Sequence, residues 1–166
     1  DMGLLFFVSN SFSKNLSLYG ERVGGLSVVC KDEAQAKAVQ GQLQFNIRRI
    51  YSSPPSHGGH VVDIVMNDEA LFNEWVQEVY VMRDRIKEMR QKLRDSLEAK
   101  LPGRSFEYIT KQNGMFSYTG LTPEQVARII KDFGIYMVAN GRISVAGLNA
   151  SNIDYVANAM AEVLKD

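Results

Sequence analysis

The chain has 166 residues, 45% hydrophobic and 23% charged, values ordinary for a globular protein that forms one domain or parts of two. Lysine and arginine number 19 and aspartate and glutamate 19, so the formal charge is zero and nothing favours nucleic acid or a membrane surface as partner. The single cysteine, Cys30, excludes an internal disulfide and fits a reducing compartment.

No stretch approaches the ~20 apolar residues that a membrane-spanning helix needs. The opening run GLLFFV is too short for a signal peptide and lacks a basic leader, so a cytoplasmic location is expected. Leu4 to Val8 reads as a short buried strand. It runs out into Ser9, Asn10, Ser11, Phe12, Ser13 and then Lys14. Arg22 lies eight residues further on, followed by Gly24, Gly25 and a second apolar strand, Leu26 to Val29. A lysine at the end of a buried strand can lose its proton through desolvation or neighbouring positive charge and then attack a carbonyl. Hydroxyls and a guanidinium nearby suit a phosphate, which is anionic and only accepts hydrogen bonds. An amine beside an anion clamp is what a pyridoxal phosphate enzyme requires. A solvated loop lysine is the blander reading of Lys14.

Asp32 is placed to cap the next helix, with Gln35 completing a capping box. Val39, Leu43, Ile47 and Ile50 define its buried face, and Ser52-Ser53-Pro54-Pro55 ends it. Arg48 and Arg49 sit in its last turn, where cations are favoured in any case. His57 and His60, with no third ligand nearby, fit capping and packing better than a metal site. An apolar run follows from Val61 to Met66. From Asp68 to about Lys100 the spacing predicts one long helix, with a core stripe of Leu71, Trp75, Val79, Met82, Ile86, Met89, Leu93 and Leu97. Glu88 with Lys92 and Arg94 with Glu98 are four-apart pairs on its solvated side.

Beyond Leu101-Pro102-Gly103 the rhythm changes. Phe106 to Thr110 and Met115 to Thr119 read as two strands of a hairpin around Asn113-Gly114. Thr122, Pro123 and Gln125 open a helix that Gly134 closes, with Val126, Ile129, Ile130 and Phe133 buried. Ile135 to Val138 and Ile143 to Val145 read as strands. A last helix, capped by Asn149 or Ser151, buries Ile153, Val156, Met160 and Leu164. The alternation predicts a small α+β domain at this end.

Four motifs then stand together: SFSKNLSLYGERVGG at 11–25, IRRIYSSPPSHGG at 47–59, KQNGMFSYTGL at 111–121 and VANGRISVAGLN at 138–149. In this order they resemble the class I pyridoxal phosphate-dependent aminotransferases, in the aspartate and aromatic amino acid branch. The resemblance covers essentially the whole chain. It implies an α/β fold, the C-terminal part of a fold-type I transferase. Residues 1–67 would end the cofactor-binding large domain, 68–101 form the connecting helix, and 102–166 form the small domain. Family members are much longer and carry their lysine past the middle of the chain. The part before the lysine strand would hold the aspartate that pairs with the pyridine nitrogen, the tyrosine and asparagine at the phenolic oxygen, and the glycine-rich phosphate turn. Asp1 is too close to the lysine strand to be that aspartate, and this portion alone is expected to be inactive.

By the same resemblance, Lys14 bonds to the cofactor, pyridoxal 5'-phosphate, and is the acid and base of transamination. Ser11 and Arg22 bind the phosphate, and Ser13 either joins that clamp or caps the turn. Arg142 takes the substrate α-carboxylate, although on composition it reads as an exposed turn arginine. Phe116 and Gly114 wall the substrate pocket, although strand core is the alternative for both. Arg48, rather than Arg49, matches the arginine that reaches across a homodimer interface to a side-chain carboxylate. Ser53 stands where the aspartate-specialised branch has asparagine. It favours an aromatic aminotransferase that also accepts dicarboxylates, working on amino acids and 2-oxo acids. Alternatives are a strict aspartate enzyme, a non-catalytic module keeping only assembly surfaces, and another pyridoxal phosphate reaction on the same fold.

Overall fold

A computed structural model describes residues 3–165; Asp1 lies outside them. The element order is β1 (Phe6–Ser11), β2 (Gly24–Val29), α1 (Glu33–Tyr51), α2 (His57–Asn67), α3 (Glu69–Lys100), α4 (Glu107–Lys111), β3 (Phe116–Tyr118), α5 (Pro123–Phe133), β4 (Arg142–Ser144), a single 3-10 turn at Val145–Gly147, and α6 (Ile153–Val163). The described chain divides into two compact units, one ending at Val79 and the other beginning at Tyr80. No described helix is long and apolar enough to cross a membrane.

In the first unit β1 and β2 form an antiparallel pair, with Phe6 opposite Val29 and Ser11 opposite Gly24. Gly24 permits this approach, since a Cβ there would lie 2.3 Å from the Asn10 carbonyl oxygen. The sequence predicts a buried strand at Leu4 to Val8. It runs instead from Phe6 to Ser11 with all six residues exposed. Phe6 is 48% exposed, Phe7 69% and Leu26 53%, so among the described residues the apolar side chains of this two-stranded sheet are uncovered. Helix α1 starts as expected, with Asp32 accepting the Gln35 N–H at 2.8 Å. The Gln35 side chain, however, takes the N–H of Lys31 rather than that of the cap residue. Val39, Leu43 and Ile47 are only half-buried and Ile50 is 74% exposed, so the expected face of α1 is present but uncovered. The run after His57 is helix α2, and Gly58 in its first turn is buried. A Cβ there would press on Glu21 and Val23.

The second unit contains the core. Met89, Leu93 and Leu97 of α3 pack with Phe106, Ile109, Leu121, Val126, Ile129, Val145, Ile153, Ala157, Met160 and Val163, all buried. Helix α5 begins with the predicted capping box, Thr122 and Gln125 each accepting the other's backbone N–H, and ends at Gly134 in the left-handed conformation. Both four-apart ion pairs of α3 form, Glu88 with Lys92 and Arg94 with Glu98. Three expectations fail here. Residues 107–111 are helix α4 and not a strand. The Glu98 carboxylate accepts the Phe106 N–H at 3.0 Å, and Arg94 reaches Thr110 Oγ1 at 3.1 Å, so tertiary contacts override the strand preference of Tyr108, Ile109 and Thr110. Consequently Asn113-Gly114 is no hairpin tip, and β3 pairs with β4. Ile135 to Val138 alternates half-buried and exposed residues but has no ladder. Finally, the cap residue of α6 is Asn152, while Asn149 Oδ1 accepts the N–H groups of both Ser151 and Asn152 just ahead of it.

Candidate active site

The predicted site residues fall in three places, two in the first unit and one in the second. In the first, the β1–β2 pairing turns residues 12–23 into a single loop that contains Ser13, Lys14 and Arg22 and begins directly after Ser11. The Phe12 N–H donates to the Val23 carbonyl at 3.2 Å and closes its neck. A tight turn follows, in which Leu16 N–H bonds back to Phe12 and Ser17 N–H to Lys14. Ser11 Oγ accepts the Ser13 N–H at 3.2 Å, and Ser13 itself is 4% exposed. Of the two serines, therefore, Ser11 does the turn-capping, while Ser13 is packed inside. Lys14 is exposed, with its Nζ 4.9 Å from the centre of the Tyr19 ring. Arg22 is exposed too, and its Nη1 donates to the Tyr19 carbonyl at 2.9 Å.

Two non-glycine residues of this loop hold left-handed backbone, Ser17 at φ 55 and Arg22 at φ 53. Such a residue costs about 1–3 kcal/mol and persists where its surroundings over-determine it, often at functional sites. The loop is tied down from outside by Trp75 of α3, whose indole N–H donates to the Asn15 carbonyl at 2.8 Å. Trp75 is the residue that motif reading missed, because a tryptophan on an apolar helix stripe carries no chemical signature.

Arg48 and Ser53 lie where α1 ends. Both are exposed; the Arg48 carbonyl accepts the Ser52 N–H, and Ser52 is itself left-handed at φ 59. The neighbouring Arg49 guanidinium sits over the Phe45 ring at 5.4 Å. Among the described residues no three His, Cys, Asp or Glu side chains are placed to hold a metal ion.

The second unit brings Arg142 and Phe116 together although 26 positions separate them. On the β3–β4 pair Phe116 faces Ser144 and Tyr118 faces Arg142, so both residues point to one side. The Arg142 guanidinium lies 5.0 Å from the centre of the Phe116 ring. Phe116 is 41% exposed, so it is not strand core, whereas Ser117 beside it is buried. The turn that delivers Arg142 is built by Gly141 at φ 81, where a Cβ would meet the Leu121 carbonyl oxygen at 2.9 Å. Thr119 donates both its N–H and its hydroxyl to the Gly141 carbonyl, and Asn140 Oδ1 accepts the Arg142 N–H at 3.1 Å. An exposed guanidinium over an aromatic ring can present two parallel N–H donors to a carboxylate while the ring excludes water from one side.

Comparison with known proteins shows the family. The family model described as aminotransferase class I and II matches residues 2–160. The chain is 55% identical over 162 residues to an aromatic-amino-acid aminotransferase of Escherichia coli (strain K12), covering 98% of this chain and 41% of that protein. It is 52% identical to a mitochondrial aspartate aminotransferase of Arabidopsis thaliana, covering 95% of this chain and 37% of the relative. Among solved structures, a psychrophilic aromatic amino acids aminotransferase from Psychrobacter sp. B6, cocrystallised with aspartic acid, superposes with TM-score 0.96 at 72% identity. That match covers 100% of this chain and 42% of the other. An aromatic-amino-acid aminotransferase from Burkholderia pseudomallei, covalently bound to pyridoxal phosphate, superposes with TM-score 0.92 at 52% identity, covering 98% and 41%. The chain thus spans about two-fifths of the length of these relatives, and it belongs to the class I and II aminotransferases.

Proposed function

We propose that this chain is the portion of a pyridoxal 5'-phosphate-dependent aminotransferase that carries the reactive lysine and the substrate-carboxylate arginine, and that the whole protein transaminates aromatic and dicarboxylic amino acids with a 2-oxo acid. The observation that carries the reading is the loop between β1 and β2, which gathers an exposed lysine, a serine hydroxyl and an exposed arginine held in left-handed backbone. This donor set fits the cofactor: an amine for its aldehyde, and a hydroxyl and guanidinium for its phosphate. When bound, the cofactor supplies an electrophilic carbonyl and an electron-accepting ring that stabilises charge at the substrate α-carbon.

The chain's own residues do the rest. Lys14 would take the proton from the substrate α-carbon as a base and deliver it as an acid to the cofactor's aldehyde carbon, its placement replacing a bimolecular encounter. Ser11 and Arg22 hold the phosphate, while Ser13 packs beneath the turn. Arg142 fixes the α-carboxylate with two parallel hydrogen bonds, and Phe116 walls the pocket beside it. Arg48, acting in the partner subunit's site of a homodimer, meets the side-chain carboxylate of dicarboxylic substrates. Ser53, close to it in sequence, belongs to the same specificity region. The protein works in the cytoplasm.

Lys14→Ala in the complete protein tests the reading. The variant should retain the cofactor through the phosphate clamp, seen by absorbance after gel filtration, yet lose transamination almost entirely. Near-normal turnover would remove Lys14 from the mechanism.

A further inference from the structure

Arg90 is 3% exposed in the middle of α3, whereas Arg83, Arg85, Lys87 and Lys92 on the same helix are exposed. Its Nη1 donates to the Ile109 carbonyl at 2.8 Å and to Ser117 Oγ at 3.1 Å. Its Nη2 donates to the carbonyls of Gly114 at 2.8 Å and Phe116 at 2.7 Å. Burial lowers its pKa from the ordinary guanidinium value, but a guanidinium remains charged in a protein. Among the described residues no carboxylate pairs with it, so its charge is met by three peptide carbonyls and a hydroxyl. The planar fork addresses four acceptors at fixed angles; an ammonium, with three donors on a flexible stem, cannot reproduce that geometry.

Two of the four acceptors, at Phe116 and Ser117, belong to the strand that presents the Phe116 ring, and a third, the Gly114 carbonyl, lies two residues before it. The ring in turn lies 5.0 Å from the Arg142 guanidinium. Gln112 braces the same segment, its Oε1 accepting the Tyr118 N–H at 2.8 Å and the Ser117 hydroxyl at 3.0 Å and its Nε2 donating to the Tyr118 carbonyl at 3.1 Å. A buried charge that donates to the Gly114 and Phe116 carbonyls and to the Ser117 hydroxyl, all beside one exposed ring, sets the position of that ring. It does so far more sharply than apolar packing alone, because each lost bond leaves a buried polar group unmet.

We infer that Arg90 is a positioning residue for substrate-carboxylate recognition: by clamping the backbone at Gly114 and Phe116 it sets the Phe116 ring, and through the ring the Arg142 guanidinium. The inference rests on the reading of Arg142 as the carboxylate arginine.

The test uses the complete, cofactor-loaded protein and 3-phenylpropionate, a carboxylate with no amine that therefore cannot react. Calorimetric affinities are measured for wild type, Arg90→Lys, Arg142→Ala and the double variant, alongside kcat and KM for an aromatic amino acid. Arg90→Lys should weaken 3-phenylpropionate and raise KM by between about threefold and a hundredfold, the range for coupled neighbours, with kcat changed much less. In the Arg142→Ala background the same substitution should add little. A lowered melting temperature or kcat with unchanged affinity makes Arg90 purely structural and overturns the inference, as do losses that add in the double variant. If Arg142→Ala itself leaves affinity unchanged, the carboxylate reading falls and takes this inference with it. If Arg142→Ala weakens binding but Arg90→Lys does not, this inference alone falls. Should Arg90→Lys not fold, Ser117→Ala removes one acceptor at the same place. It also removes the hydroxyl's bond to Gln112 Oε1 and should weaken 3-phenylpropionate by about two- to tenfold, and an unchanged affinity there overturns the inference.

Discussion

The indole N–H of Trp75 donates to the main-chain carbonyl of Asn15 at 2.8 Å, so helix α3 grips the loop one residue away from Lys14. Trp75 also leans on Phe72, with ring centres 5.6 Å apart, which fixes the direction of its N–H. The turn that carries Lys14 is also held by its own short backbone bonds, by the neck at Phe12 and Val23 and by the Ser13 N–H donating to Ser11 Oγ.

Trp75→Phe in the complete protein keeps an aromatic ring and deletes the donor. The loss should be about 1 kcal/mol, near the low end for a lost partner because Asn15 is half-buried rather than fully enclosed. Amide exchange should quicken at residues 12–17 while α5 and α6 stay unchanged. Equal protection in that loop would show that the bond does not hold it.

The uncovered sheet makes a second expectation. Leu4, Leu5, Phe6, Phe7, Leu26 and Val29 are all at least 40% exposed, and contiguous apolar surface of this kind marks an interaction face or an aggregation hazard. Expressed alone, the 166-residue chain should self-associate, as read by light scattering and binding of a hydrophobic dye. A monodisperse monomer that melts cooperatively would contradict this.

Glu98 supplies a pH dependence. The Phe106 backbone N–H, first, and the Arg94 side chain, second, hold its pKa below the ordinary carboxylate value. A lowered folded-state pKa means stability that is present above the unfolded-state value and lost as pH falls through the folded one. The start of α4 should therefore loosen on acidification below about pH 4.5, the ordinary glutamate range. Glu98→Gln should be less stable than wild type near neutrality, with the gap closing as pH falls. Denaturant midpoints measured across that range check it, and a gap independent of pH would refute it.

Arg48 tests specificity. Arg48→Ala in the complete protein should cost aspartate and glutamate ~2–5 kcal/mol in kcat/KM, the range for truncating one partner of a buried charge pair. That is roughly thirty- to a few thousand-fold, and tyrosine and phenylalanine should lose much less. Mixing Arg48→Ala with Lys14→Ala subunits under exchange should restore aspartate activity, because one site per mixed dimer is then intact. If exchange is confirmed and activity stays absent, Arg48 does not act across an interface.

Sequence by itself determined what depends on residue type and local spacing. The box at Thr122 and Gln125, the stop at Gly134, the cap at Asp32 and the span of α3 are all local, since a cap needs only hydroxyl or carboxylate beside a helix start. The family was legible too, through four motifs in order. Tertiary structure decided the rest. Residues 107–111 carry strand-forming side chains, yet Glu98, eight positions before Phe106, accepts that residue's N–H and Arg94 reaches Thr110, so they wind into α4. With no hairpin at Asn113-Gly114, Phe116 is free to pair across to Ser144, which carries it under Arg142. A period-two pattern says which residues share a face but not which strand lies opposite, and no local rule reveals that Arg90, one of many charges on a long helix, is the one turned inward. Its burial depends on four acceptors that only the folded chain brings to it.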